Sequence, residues 1–156
     1  MKPIRDMSAL EVAAFAAQHL RSLGVDVVLS GGTCVTLYSE SQYVSGDADL
    51  VLRGHVSRAV LRAHLKRIGF EERGRTFAHP ETAVALDFPQ GPLAVGKQPV
   101  THIRTVTLAT GTLLALSPTD CVKDRLAAYY HWGDRQCLEQ AVLVAGTAPV
   151  DLADIR

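Results

Sequence analysis

Apolar and polar positions along the chain alternate between helical and strand-like spacing. Residues 9–23 read as a helix, with Ala13, Phe15, Ala16 and Leu20 on one face. Ser8 stands at its N-cap with Glu11 three residues on, as in a capping box, and Gly24 follows its end. Residues 25–29 are a short β-branched apolar run between Gly24 and Gly31, which predicts a buried strand. Gly31 and Gly32 then turn the chain into a short helix over 33–39. A polar loop through Ser45 and Gly46 leads to a second strand at 48–52. Residues 56–68 carry Val56, Val60, Leu61, Leu65 and Ile68 at helical spacing, with Gly69 just past the end.

Further on, residues 70–78 predict a strand pair turning at Gly74, and 82–88 a strand that Pro89 and Gly91 terminate. The Gly- and Pro-rich stretch 90–99 is expected to be an inserted loop. Strand signals resume at 102–108 and 112–116, and Ser117-Pro118 opens a helix with proline at its tolerated first position. Two helices, 119–130 and 134–145, are expected on either side of a break near Gly133. Asp134 is read as the cap of the second, and Trp132 as a packing residue.

This order predicts an α/β (α+β) domain, a mixed β-sheet flanked by helices with further helices at the C-terminal end. The 156 residues suit one domain spanning 1–156, with a core over 25–116 and a helical part over 117–156. Sixteen basic residues balance sixteen acidic ones, so the total charge calls for neither a nucleic acid nor a membrane. A local basic groove is still compatible with that total, because a ligand feels the field at its site. Cys34, Cys121 and Cys137 are scattered, with no C-x-x-C pair, and are read as buried free thiols. Residues 1–5 lack the apolar stretch of a signal peptide and no run reaches the length of a membrane span, so a cytoplasmic location is expected.

The chemistry concentrates in two short segments. Leu29-Ser-Gly-Gly-Thr33 places two glycines after a buried strand, where they permit positive φ and close approach of backbone N–H groups to an anion. The helix that follows turns its positive end to the same place, which makes a phosphate cradle without the spacing of a P-loop. In Ser45-Gly-Asp-Ala-Asp-Leu-Val51, Asp47 and Asp49 are two apart on a strand and share one face. Like charges so placed repel unless a divalent ion neutralises them, and oxygen ligation suits Mg²⁺ or Mn²⁺. Asp87 sits inside the apolar strand Val84-Ala-Leu-Asp-Phe88, where an unpaired acid is costly. Should that strand neighbour the one bearing Asp47 and Asp49, a third carboxylate completes a site for two metal ions.

These residues resemble the nucleotidyltransferase superfamily related to DNA polymerase β. Its pattern is a strand, Gly-Gly or Gly-Ser, a helix, Asp-hydrophobic-Asp-hydrophobic, and a later lone Asp; here Gly31-Gly32-Thr33, Asp47-Ala48-Asp49-Leu50 and Asp87. Leu37-Tyr38, Ser45 and Asp120-Cys-Val-Lys-Asp-Arg-Leu126 further resemble bacterial minimal nucleotidyltransferases, including toxin-like members of type IV toxin–antitoxin systems. The resemblance implies that Gly31, Gly32 and Thr33 contact nucleotide phosphates, that Asp47 and Asp49 ligate Mg²⁺, and that Asp87 is the third catalytic and metal-binding acid. Lys123 and Arg125 are placed to face the triphosphate from the C-terminal helix, with Lys123 the candidate phosphate contact, although Lys123-Asp124-Arg125 on a helix also reads as a solvated surface.

The implied reaction is transfer of a nucleoside monophosphate from an NTP to a hydroxyl on RNA or protein. For toxin-like members a cognate antitoxin protein is the implied partner. A non-catalytic module on the same fold and a metal-dependent phosphodiesterase are the competing readings.

Overall fold

The computed structural model describes residues 2–40, 46–90, 92–95 and 97–155. After a 3-10 turn at Ile4–Asp6 the elements are α1 (Ala9–Ser22), β1 (Asp26–Ser30), α2 (Gly31–Tyr38), β2 (Asp47–Arg53) and α3 (Arg58–Lys66). Then come β3 (Glu71–Arg73), β4 (Thr76–His79), β5 (Thr82–Asp87), β6 (Ala94–Val95), β7 (Gln98–Pro99), β8 (Ile103–Leu108) and β9 (Gly111–Leu116). The chain closes with α4 (Pro118–Trp132) and α5 (Arg135–Thr147). Among the described residues no helix is long and apolar enough to cross a membrane.

Seven strands form one sheet in the order β3-β4-β5-β2-β1-β9-β8. It is mixed: β1 runs antiparallel to β2 and parallel to β9, and β2 runs parallel to β5. β2 alternates as the sequence requires, with Ala48, Leu50 and Leu52 in the core and Asp47, Asp49, Val51 and Arg53 on the other face. α1 covers β9, β1 and β2, burying Val12, Ala13, Ala16, Ala17 and Leu20 at helical spacing. Five of its seven buried positions being small alanines lets the helix lie close on the sheet; fully burying Leu20 contributes about 1.5–3 kcal/mol. Its start carries the full capping box, Ser8 accepting from the Glu11 N–H and Glu11 from the Ser8 N–H.

The turn between β8 and β9 is fastened to α1. Thr110 Oγ1 donates to the Glu11 carbonyl at 2.6 Å, and the Thr112 N–H to Gln18 Oε1 at 2.8 Å. Gly111, at φ 156°, approaches so closely that a Cβ there would lie 2.8 Å from the Ala14 carbonyl oxygen. On the far side, α2 is held between sheet and helices: Tyr38 Oη donates to the Leu116 carbonyl, and Thr147 Oγ1 of α5 to the Tyr38 carbonyl, both at 2.6 Å.

Two expectations need correction. Within 90–99 the chain forms the hairpin β6–β7, pairing Ala94 with Pro99 and Val95 with Gln98. Val95 is buried and its strand packs against α4, a tertiary contact that overrides the local Gly and Pro signals. Trp132 is not a packing residue but lies largely exposed at the end of α4. The remaining differences are at element ends. The glycine pair is the first turn of α2 rather than a turn before it, and α3 begins only after Ser57, whose hydroxyl caps the Val60 N–H.

Candidate active site

Strand register brings the acids together. Asp49 pairs with Ser30 across β1–β2 and with Asp87 across β2–β5, and Asp47 precedes Asp49 by two on the same face. Directly paired positions on neighbouring strands project side by side, about 5 Å apart. The adjacency of the Asp87 strand, which the sequence left as a condition, is present.

The glycine turn closes over this pair. Gly31 has φ 66°, a conformation side-chain-bearing residues rarely adopt, and a Cβ there would sit 2.1 Å from Asp49 Oδ2. Only glycine lets the backbone pass so near the carboxylate. Gly32 follows in the first turn of α2, and Thr33, fully buried, donates its hydroxyl to the Asp47 carbonyl. That bond ties the start of α2 to the start of β2. Ser30, the N-cap residue, makes no side-chain capping bond, so the first-turn donors of α2 lack the usual internal acceptor at the edge of the acid cluster. Ser45 lies outside the described residues.

Charge around Asp49 is strongly unbalanced. Burial, and then the neighbouring Asp87, push its pKa up to about 6; Arg125 pulls the other way, while Asp124 and Asp47 add to the rise. Arg125 is itself engaged, bonding Asp124 at 2.7 and 3.0 Å and Gln140 Oε1 at 3.3 Å. Asp87 has Arg75 at 3.9 Å, from a side chain that is almost wholly in solvent.

Among the described residues no three His, Cys, Asp or Glu side chains are gathered into a finished metal cluster. The three acids share one face of the sheet without forming such a cluster. The donor set itself fits a hard divalent cation: it is all oxygen, carries excess negative charge, and raises the cost of ionising its most buried member. Asp47, Asp49 and Asp87 are the residues that would hold it.

Lys123 occupies a different flank of α4. Its ammonium bonds Asp154 at 3.1 Å beside Val95, Leu126 and Ile155. The cation that bears on Asp49 is Arg125, and Asp124 beside it also belongs to the site. Helical spacing carried the signal, since Arg125 lies four residues after Cys121 and three after Val122, both buried on the inner face of α4. The thiols are free and buried, and Cys34 is raised well above the usual thiol range by burial, then by Cys121, which removes it as a nucleophile.

No protein-family model matches the chain, and it matches no curated protein. Solved structures match it in shape. An antigenic nucleotidyltransferase-like protein from Paracoccidioides brasiliensis aligns with a TM-score of 0.67 and 19% identity, over 94% of this chain and 78% of its own. ANT(2'')-Ia in complex with adenylyl-2''-tobramycin aligns at 0.55 and 14% identity, over 88% of this chain and 87% of its own. The solution structure of the antibiotic-resistance factor ANT(2'')-Ia gives 0.52 and 14%, over 88% and 89%. The chain has the nucleotidyltransferase-like fold.

Proposed function

We propose that this protein transfers a nucleoside monophosphate from an NTP to a hydroxyl group of an RNA or protein acceptor, using Mg²⁺ or Mn²⁺ bound by Asp47, Asp49 and Asp87. The observation that carries the reading is the direct pairing of Asp49 with Asp87, with Asp47 on the same face, under the Gly31 backbone. Sharing a fold with ANT(2'')-Ia, solved with a nucleotide joined to a small molecule, supports the reaction class.

In the transfer, the acceptor hydroxyl oxygen bonds to the α-phosphorus as the bond to the β-phosphate bridging oxygen breaks, and pyrophosphate leaves. A divalent cation held by Asp47, Asp49 and Asp87 would neutralise charge on the phosphates and favour ionisation of the hydroxyl. The first turn of α2, from Gly31 to Thr33, presents its positive end to phosphate oxygens. Arg125 adds a fixed positive charge on the opposite wall. Asp87, across the strand pair from Asp49, accepts the hydroxyl proton.

The test is incubation of the purified protein with each of four labelled NTPs, Mg²⁺ and cell extract. Label should move to RNA or protein with release of pyrophosphate, and Asp49→Asn should abolish it with the fold retained. Release of mononucleotide from a phosphodiester without any pyrophosphate would instead favour the phosphodiesterase reading.

A further inference from the structure

The basic residues are not spread evenly along the chain. Residues 53–75 hold seven of the sixteen lysines and arginines but two of the sixteen acids, which leaves nine basic residues against fourteen acidic ones elsewhere. Overall neutrality is the sum of a positive segment and a negative remainder, and a ligand at the segment meets only the first. That segment folds as the end of β2, α3 and the β3–β4 hairpin, with β3 the edge strand of the sheet.

Register decides where these charges point. Arg73 pairs with Thr76, and Glu72 with Phe77, which in turn pairs with Leu86. Paired residues share a face and successive ones alternate, so Arg73 and Thr76 lie on the face of Asp87 and Asp49, and Glu72 lies on the other. There Glu72 binds two arginines of α3, Arg58 at 2.5 Å and Arg62 at 2.9 Å. Arg58 also donates to the Gly74 and Arg75 carbonyls at 3.3 and 3.0 Å, which fixes the start of α3 against the hairpin turn. Lys66, exposed and four residues beyond Arg62, continues the same row. In the turn, Arg75 is 87% exposed, with its guanidinium 3.9 Å from Asp87. Arg73 stands two strand spacings, about 10 Å, from Asp87. Among the described residues neither Arg73 nor Lys66 is engaged in an ion pair.

Exposed arginines are ordinarily just solvated. Here, however, the excess charge has a single glutamate shared between two arginines, and it runs along one sheet edge to the acids. Arginines suit phosphate, which they grip through two parallel N–H donors. The terminal hydroxyl of an RNA strand is one sugar away from a phosphate, so a strand gripped at this edge brings a hydroxyl to Asp87. An acidic side chain on a protein surface has no such fixed relation to a hydroxyl.

We propose that the β3–β4 edge docks the phosphate backbone of an RNA acceptor, with Arg73 and Arg75 as the contacts nearest the acids and the α3 row as the outlying ones. The inference rests on the reading of the acids as a transfer site and narrows its acceptor to RNA. Contacts of this kind position a strand without reading its sequence, so affinity depends on salt far more than on base composition.

The test follows the anisotropy of a labelled single-stranded RNA of about twelve nucleotides, with no NTP present and over a range of salt. Three or four neutralised phosphates give a slope of log K against log salt of about −2 to −3. Arg73→Ala and Lys66→Ala should each weaken binding on the order of fivefold and flatten the slope by about 0.7. Arg73→Lys, which keeps the charge, should recover most of the loss. Arg104→Ala, at the opposite edge of the sheet, should bind like the parent. In label transfer, Arg73→Ala should raise the KM for RNA at a nearly unchanged kcat. Absence of RNA binding, an affinity indifferent to salt, or equal losses in Arg73→Ala and Arg104→Ala overturns the docking surface. So does label that passes from NTP to protein in extract while none reaches RNA. Because binding is measured without nucleotide, Arg73-dependent RNA affinity in a protein that binds no NTP would uphold the surface and remove the transfer reading instead.

Discussion

Asp49 holds its proton more tightly than an ordinary aspartate, at a pKa of about 6, because its carboxyl is buried and faces Asp87. The folded-state pKa is raised, so ionising Asp49 opposes folding: the stability it allows below about pH 4 is lost as pH rises through about 6. The shift corresponds to at most about 3 kcal/mol. Asp49→Asn should therefore stabilise the metal-free protein by about 1–3 kcal/mol at neutral pH and change it little near pH 4. Urea unfolding at the two pH values checks this, and a variant that is destabilised at both contradicts it. Gly31→Ala acts oppositely. Its Cβ would lie 2.1 Å from Asp49 Oδ2 at a positive φ, so the variant should lose on the order of 2 kcal/mol. It should also lose transfer activity, because the carboxylate must move.

At the scale of elements, α4 carries the division between residues that face the acids and residues that do not. Arg125→Ala should lower nucleotide affinity about tenfold or more, since it removes a positive charge that acts on Asp49 and leaves Asp124 uncompensated. Lys123→Ala, losing its bond to a half-exposed Asp154, should cost less than about 1 kcal/mol of stability and leave nucleotide affinity within about threefold. Equal effects in the two variants would mean that the side of the helix does not matter. Sequence reading went furthest where local rules and burial agree. Ser8 and Glu11 announce α1, the alternation of Asp47 to Arg53 announces β2, and the φ 69° residue Gly133 divides α4 from α5. The shared strand face of Asp47 and Asp49 was legible for the same reason, whereas the pairing of their strand with that of Asp87 came only from the register of β2 on β5. What escaped depends on contacts distant in sequence. The β6–β7 hairpin exists because Val95 packs on α4, and Lys123 resembles Arg125 until α4 is placed against the sheet. Trp132 looked like core, yet it ends a helix whose last turn runs past the domain's apolar surface.

For the molecule as a whole, the sheet supplies the acids and the C-terminal helices supply the opposing charge, so ligand binding should stiffen one to the other. A divalent cation that binds the folded state alone adds about 2.7 kcal/mol at a hundredfold excess over its Kd. Mg²⁺ should raise the melting temperature by several degrees, and less in Asp49→Asn, where the lost carboxylate weakens the site. The most direct measurement is calorimetric titration of a non-hydrolysable NTP into the parent protein and into Asp49→Asn, each with and without Mg²⁺. Binding should occur with Mg²⁺ in the parent and fall sharply when either the cation or the carboxylate is removed. Equal heats in all four titrations, or none in any, would contradict the assignment of Asp47, Asp49 and Asp87 to a metal-dependent nucleotide site.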